Sequence, residues 1–224
     1  MVKRKSIFIW VNFLMEFPEV IKTITKRSEF EFKEKGSRFI GFAAPCLSEE
    51  EAQKILEEKR KQFFDATHNC FAYFILPDVA KYSDDGEPTG TAGIRIYNAI
   101  QHFELTNLIV IVTRYFGGTK LGVGPLGKAY YNSAYGVLDS AEFITKKNYS
   151  LFDLVYDYEH SKTVHHFLEK HNCIIKENKF KQKPVISFLI KPSEIDDFKS
   201  DIVNATRGAV NLDLIESNIF VKFH

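Results

Sequence analysis

Hydrophobic and polar positions alternate in the first half of the chain in patterns that predict strands and helices in turn. Residues 28–45 place phenylalanines at alternating positions on both sides of a glycine, which is typical of two strands joined by a tight turn. Ser48 is an expected N-cap, because residues 49–64 carry acids first and bases last, as the helix dipole favours. Residues 70–76 and 108–112 are predicted strands, and the continuous run LIVIV of the second indicates burial on both faces.

The segments between these strands predict a loop and two helices. Residues 77–91 contain two prolines and two glycines, which indicates a long loop. Residues 92–103 are predicted to be helical. The strand at 108–112 is expected to end near Val112, and a second helix is expected to begin with Pro125 at its first position. One face of this second helix is expected to be buried, and it consists of Leu126, Ala129, Tyr130, Ser133, Ala134, Val137 and Leu138.

The pattern changes near residues 145–148 and predicts a second α/β unit. The segments after this point indicate a strand, a helix, two strands, a helix and a final strand. Their expected ranges are 149–158, 162–171, 173–180, 185–191, 193–205 and 218–223. This order is the signature of a split βαβ, ferredoxin-like unit. We therefore expect an α+β protein with two domains, 18–146 and 147–224.

The N-terminus carries a pattern that could be mistaken for a targeting signal. The basic residues KRK precede the apolar run SIFIWVNFLM, but no small-residue cleavage site follows. The run stops at Glu16 and is too short to span a bilayer. We expect neither a membrane nor a secretory role, and treat residues 1–17 as an extension. Met15 is an alternative translation start.

Composition and charge limit the classes of function. The 224 residues are 45% apolar and include 21 Phe, so a globular protein with a large core is expected. The net charge of +1 gives no global attraction for nucleic acid or anionic lipid, so any anion site must be local. The three cysteines are scattered without a C-x-x-C pair, which disfavours disulfides and thiolate zinc and fits a reducing cytoplasm. We expect no cofactor and no metal.

The glycine-rich stretch RYFGGTKLGVGPLGKAYY (114–131) imitates two nucleotide-binding motifs. Gly117 and Gly122 have the spacing of a P-loop, but Val123 stands where the phosphate-binding lysine must be. Gly122, Gly124 and Gly127 match G-x-G-x-x-G, but they lie about ten residues after the predicted end of the strand. Neither motif is therefore present.

Two interpretations of this stretch remain open. In one, the amides of Gly117 and Gly118 form an anion-binding nest, to which Arg114 and Lys120 add charge. In the other, the glycines only permit turns, and Arg114 pairs with an acidic loop. The candidate residues for an anion or nucleic-acid site are Arg114, Tyr115, Phe116, Gly117, Gly118, Lys120, Gly122, His68 and Asn69.

The acidic loop SDDGEPTGT (83–91) has three possible roles. Its carboxylates could bind a hard metal ion, form ordinary turns, or face Arg114 and Lys120 across a cleft. We favour the last role over metal binding. The candidate residues of this loop are Asp84, Asp85, Glu87, Thr89 and Thr91.

Histidines and cysteines offer two further interpretations, which we disfavour. His68 and Cys70 could form a nucleophilic pair. However, side chains two apart on a strand are parallel, so a strand-entry turn is preferred, with His68 and Asn69 hydrogen-bonded to backbone. His165 and His166 diverge by about 100° on a helix, which argues against a metal site there. Together with His171, they are expected to be solvated or partly packed.

Taken together, four blocks resemble the IMPACT family: ATHNCFAY, YSDDGEPTGTAG, LTNLIVIVTRYFGGTKLGVGPL and the following KAY. Bacterial members of the YigZ type have this domain followed by a small ferredoxin-like domain. The family usually has Gly where Pro125 stands and a branched apolar residue where Gly127 stands. The resemblance implies a first domain folded like the second domain of ribosomal protein S five. It implies a second domain similar to the C-terminal domain of elongation factor G.

Both fold relationships suggest contact with RNA or the ribosome, although a fold does not determine function. The first hypothesis is a non-enzymatic cytoplasmic regulator of translation or stress response that binds RNA or a ribosomal component. The second is an enzyme for a phosphorylated or acidic small molecule, with Asp84, Asp85 or Glu87 as base or metal ligand. The third is a protein–protein interaction module.

Overall fold

The computed structural model describes residues 17–180 and 182–222, and it contains two β-sheets with packed helices. The expectations about residues 1–16 lie outside the described residues. The strands are β1 (Val20–Ile24), β2 (Ser28–Glu34), β3 (Ser37–Pro45), β4 (His68–Ile75), β5 (Val79–Ser83), β6 (Leu108–Tyr115), β7 (Phe143–Tyr156), β8 (Ile174–Phe180), β9 (Pro184–Ile190) and β10 (Val210–Lys222). The helices are α1 (Glu49–Gln62), α2 (Gly93–His102), α3 (Val123–Asp139), α4 (Ser161–Lys170) and α5 (Ile195–Thr206). In these two ranges no helix is long and apolar enough to cross a bilayer.

The first sheet has the order β2-β3-β6-β4-β5, and all its pairs are antiparallel. Its central strand, β6, is buried on both faces, which confirms the prediction from LIVIV. Ile109 and Ile111 contribute to the core beside α1, whereas Val110 and Val112 contribute to the core beside α2 and α3. The strand does not end near Val112, because the next three residues continue to pair with β3.

Local signals determine both ends of α1 as predicted. Ser48 is the N-cap and its Oγ accepts the amide of Glu51 at 3.2 Å, while the Glu51 carboxylate accepts the amide of Leu47 at 2.7 Å. Such a cap contributes about 1 kcal/mol. The last turn is basic, which complements the helix dipole.

Two local predictions are wrong in detail. Residues 77–91 are not all loop, because β5 pairs with β4 as an edge strand and Tyr82 stacks on Tyr97. Helix α3 begins at Val123 after Gly122, so Pro125 is the third helical residue rather than the first. Proline is tolerated there because the first four helical amides have no intrahelical acceptor. The predicted buried face of α3 is confirmed.

The second sheet has the strand order β10-β7-β9-β8, with β1 added beside the start of β7. Helices α4 and α5 share one core with this sheet, which gives the ferredoxin-like unit that was predicted. Strand β10 is longer than the predicted 218–223. Strand β7 pairs with β1 at residues 143–147 and with β9 at residues 150–155, so the predicted boundary at 146 lies within a continuous strand. The domain limits stay a prediction.

Candidate functional site

A buried ion pair joins the acidic loop to the end of β6. Arg114 is 5% exposed, and its Nη1 lies 2.6 Å from Oε1 of Glu87, which is 9% exposed. Tyr130 on α3 donates its hydroxyl to the same oxygen at 2.7 Å, and Nη2 of Arg114 donates to Ser37 Oγ at 3.2 Å. Arg114 therefore pairs with the acidic loop. Its charge is neutralised below the surface, and the pair ties the loop to β3, β6 and α3.

The neighbouring strand β4 is hydrogen-bonded to the backbone of the same loop. His68 donates from Nδ1 to the carbonyl of Asp85 at 2.7 Å, and the Cys70 thiol donates to the carbonyl of Asp84 at 3.0 Å. Burial, as the largest cause, raises the pKa of the Cys70 thiol and also that of the Tyr130 hydroxyl. Cys70 is thus a fully buried, protonated thiol and not half of a nucleophilic pair.

Asn69 takes a different role from the one expected. Its side-chain Oδ1 accepts the hydroxyl of Thr113 on β6 at 2.7 Å, so it binds a side chain and not backbone. The backbone amide of Asn69 donates to the Asp85 carboxylate at 2.7 Å. Adjacent strands in register place Asn69 directly opposite Thr113, which explains the contact.

The remaining carboxylates of the acidic loop are also engaged within the protein. Asp84 accepts the amides of Gly90, Ala92 and Gly93 at 2.8, 2.9 and 2.8 Å, so it caps the N-terminus of α2. The Asp85 carboxylate also accepts from Arg60 at 2.8 Å. Within the described ranges, no group of three potential ligands could hold a metal ion. These hydrogen bonds fix the conformation of residues 84–91, and we call this hydrogen-bonded part of the acidic loop the buried frame.

The two threonines of the loop differ in their surroundings. Thr91 is 2% exposed and donates its hydroxyl to the carbonyl of Pro88 at 2.6 Å, which closes a turn before α2. Thr89 is exposed at the tip of the loop. Only Thr91 is therefore part of the buried frame.

The glycine-rich loop between β6 and α3 lies on the surface beside this frame. Residues 116–120 and 122–125 are exposed, whereas Leu121 is buried and anchors the loop. Gly118 and Gly122 both have φ of 84°, a conformation that only glycine adopts without strain. A Cβ on Gly117 would lie 1.9 Å from the carbonyl carbon of Gly36, so two backbones touch there. The glycines are thus required by the shape of the loop.

Free donors are concentrated in this loop and in the first turn of α3. The Phe116 and Gly117 amides donate to Thr67 Oγ and Ser37 Oγ, at 3.1 and 3.2 Å. The hydrogen bonds of the described residues leave the amides of residues 118–124 without a protein acceptor. Helix α3 has neither a side-chain cap nor an acid in its first turn. An uncapped helix N-terminus attracts anions.

Three exposed cations surround these amides. Lys120 lies in the loop, Lys128 follows the first turn of α3, and Arg95 comes from the first turn of α2. A Cβ on Gly127 would lie 3.2 Å from Nε of Arg95, so this arginine extends over the start of α3. None of the three forms an ion pair with another described residue.

Arg114 pairs with the acidic loop, whereas Lys120 forms no ion pair with it, so the expectation that the loop also faces Lys120 stays a prediction. Lys120 is solvated because it lies in the exposed loop beyond Gly118, whereas Arg114 is still part of the strand. Sequence reasoning missed Arg95. The available signal was a cation in the first helical turn, where the dipole disfavours it, combined with the unusual glycine at position 127.

The two aromatic candidates have different environments. The Phe116 ring is 46% exposed and lies 5.5 Å from the Arg114 guanidinium carbon. The Tyr115 hydroxyl donates to Asp65 at 2.7 Å, and this hydrogen bond, as the largest cause, raises the pKa of Tyr115. Phe116 is thus free to stack with a ligand, whereas Tyr115 is held by the protein.

Comparisons with known proteins agree with this architecture. The Impact N-terminal domain model matches residues 35–138, and a domain of unknown function (DUF1949) matches residues 154–209. The "IMPACT family member YvyE" of Bacillus subtilis is 31% identical over 188 residues, which cover 83% of this chain and 87% of that protein. The chain belongs to the IMPACT family.

Other IMPACT family proteins are similar to this chain over most of its length or over part of it. The Escherichia coli "IMPACT family member YigZ" is 27% identical over 81% of this chain and 91% of its own. The yeast "Protein IMPACT homolog" is 35% identical, but over only 40% of this chain and 36% of its own. A crystal structure described as a hypothetical protein superposes with a TM-score of 0.63 at 24% identity, covering 89% of this chain and 99% of that one. The predicted two-domain α+β fold is confirmed.

Proposed function

We propose that this IMPACT family protein is a non-enzymatic regulator of translation or stress response that binds single-stranded RNA, alone or within a ribosomal component, in the cytoplasm. One observation carries the proposal: the uncapped start of α3 leaves its amides free beside the exposed side chains of Lys120 and Phe116. Backbone amides and lysine suit phosphate oxygens, and an exposed aromatic ring suits an unpaired base. The three cysteines without disulfides fit a reducing compartment.

Arg114 acts indirectly in this proposal. Its guanidinium is occupied by Glu87 and Ser37, so it positions the loop and does not bind phosphate itself. The direct contacts come from Lys120, from the amides of residues 118–124, and from Arg95 over the same helical turn. A local cluster of this kind compensates for the net charge of only +1.

The test is fluorescence anisotropy of a labelled 20-nucleotide uridylate titrated with the full chain between 50 and 300 mM KCl. We expect Lys120→Glu to weaken binding about tenfold and to reduce the slope of log K against log salt by ~0.7 or more. Phe116→Ala should weaken binding at all salt concentrations, because base stacking contributes about 1–3 kcal/mol. Lys54→Glu makes the same change of charge on the exposed face of α1 and should have no such effect.

The proposal is wrong if the wild-type chain does not bind the oligonucleotide at 50 mM KCl, or if Lys120→Glu and Lys54→Glu behave alike. All these side chains are exposed, so the variants should unfold at the wild-type temperature. Crosslinking in cells followed by sequencing then identifies the bound RNA. Recovery of a protein partner without RNA would favour an interaction module instead.

The structure offers little support for an enzyme that uses the acidic loop. Asp84 caps α2, Asp85 binds Arg60 and an amide of β4, and Glu87 binds Arg114. A general base needs a lone pair directed at substrate, and each of these carboxylates already accepts hydrogen bonds from the protein.

A further inference from the structure

A second candidate site lies far from the glycine-rich loop, at the other end of β6. Since β6 has eight residues, its two ends are about 25 Å apart at ~3.3 Å per residue. At the N-terminal end, a cavity of about 840 Å³ opens between the two sheets. This volume is within the range of small-molecule sites, which occur preferentially at domain interfaces.

The walls of this cavity are mainly apolar and come from both sheets. Leu76, after β4 of the first sheet, lines it together with Ile21 and Ile24 of β1, Ile144 of β7 and Phe220 of β10, which all belong to the second sheet. The β10 wall is irregular, because its pairing with β7 shifts on both sides of Glu216. The cavity is thus bounded by parts of the chain that are distant in sequence.

Asn107 places free hydrogen-bond donors in this apolar cavity. It is 7% exposed and lines the cavity just before β6. Its Oδ1 accepts the amide of Leu76 at 3.0 Å, which fixes the orientation of the side-chain amide. Its carbonyl accepts from Cys46 and Thr23, at 3.0 and 3.3 Å. The side-chain NH₂ group has no acceptor among the described residues, so it is available to a ligand or to water in the cavity.

Lys146 brings a positive charge to the part of the lining that β7 contributes. It is half-buried on β7, in register with Ile21, and forms no ion pair with any residue in the part of the chain that the structure describes. Two carboxylates also line the cavity. That of Glu51 is occupied by the amide of Leu47, and Glu216 is exposed at the rim. The cavity therefore presents the Asn107 amide and Lys146 to a ligand, beside one carboxylate that already accepts a hydrogen bond and one that is in solvent.

We propose that this cavity binds a small amphipathic acid, with its apolar body between the two sheets and its carboxylate at the Asn107 amide and Lys146. This site is separate from the proposed RNA site, so either can be wrong without the other. A ligand there contacts both sheets and should raise the unfolding temperature of the whole protein.

The test is isothermal titration calorimetry of the full chain with decanoate, and with decanol as the uncharged probe of equal length. We expect one decanoate per chain and at least tenfold weaker binding of decanol. Lys146→Met and Asn107→Asp should each weaken decanoate binding about tenfold, and Ile144→Trp should prevent it by filling the cavity. Lys176→Met removes an exposed charge on β8 and serves as the matched control.

The proposal is overturned if the folded wild-type chain does not bind decanoate, or if Lys146→Met binds it as well as wild type does. Lys146 is only half-buried, so this variant tests the site even if the other two fail to fold. Equal affinity for decanol and decanoate would also overturn it, because the polar groups would then have no role. Decanoate binding that occurs only in a chain beginning at Met15 would identify residues 1–14 as the occupant instead.

Discussion

The Arg114–Glu87 pair should contribute to stability much more than a surface salt bridge. The two side chains are 6% and 4% exposed, so little solvent screens the 2.6 Å contact. Arg114→Met leaves the Glu87 carboxylate buried with one direct hydrogen bond, from the hydroxyl of Tyr130, and with Nε2 of His68 at 3.8 Å. Removing one partner of such a pair costs about 3–5 kcal/mol. Glu87→Gln should cost a similar amount, because the guanidinium then loses its counter-charge.

The double variant Arg114→Met/Glu87→Gln distinguishes this explanation from simple loss of contacts. Both charges are absent, and the new side-chain amide oxygen at position 87 can still accept from Tyr130, so we expect a cost of about 1–3 kcal/mol. Urea unfolding, followed by circular dichroism, gives the free energy of unfolding of the wild type, the two single variants and the double variant, which form a double-mutant cycle. Hydrogen exchange of residues 84–91 should accelerate in each single variant. A loss below about 1 kcal/mol for Arg114→Met, with unchanged exchange, would refute the buried-pair explanation.

Two other perturbations test single contacts. Gly117→Ala would place its Cβ 1.9 Å from the backbone of the β2–β3 turn, so urea unfolding should show a loss of ~2 kcal/mol or more. Gly124→Ala meets no atom within 4 Å, so it should be neutral or stabilise by up to ~1 kcal/mol, and equal losses in both variants would contradict this. Hydrogen bonds from Lys170 and then His171 hold the pKa of the Asp201 carboxyl below its usual value. This contribution exists above the unfolded-state pKa and is lost as pH falls through the lower folded-state value. Lys170→Met should therefore flatten the loss of stability below about pH 4, and an unchanged acid-unfolding curve would exclude this role.

The similarity to the eukaryotic proteins covers only part of their length, which limits what it indicates about the function of this chain. The yeast and rabbit relatives each match only 94 residues, and these cover 36% and 30% of those proteins. The glycine-rich loop and the acidic loop lie within residues 35–138, which the Impact N-terminal domain model matches. The second sheet and the cavity between the sheets depend also on strands outside that domain. The experiments on the loop site and on the cavity thus test separate parts of the molecule.

The sequence predicted those elements whose signals are local. The Ser48 cap, the run 108–112 and the buried face of α3 each depend on residues a few positions apart, and all three are confirmed. Strand β5 was missed because an edge strand is stabilised by its partner, and prolines and glycines surround it. The addition of β1 to the second sheet was also not predictable, since its partner β7 begins more than a hundred residues later.

The amino-acid order specifies which chemical groups are available: a glycine-rich turn, three carboxylates in one loop, and an arginine at a strand end. How each group is used depends on the folded chain around it. Sheet order and register bring Glu87 to Arg114 across 27 residues and exclude water from the pair. The same packing leaves Lys120 in solvent and Asn107 facing a cavity. The physical reason is that desolvation and hydrogen-bond partners depend on distant neighbours, whereas charge and side-chain shape belong to each residue alone.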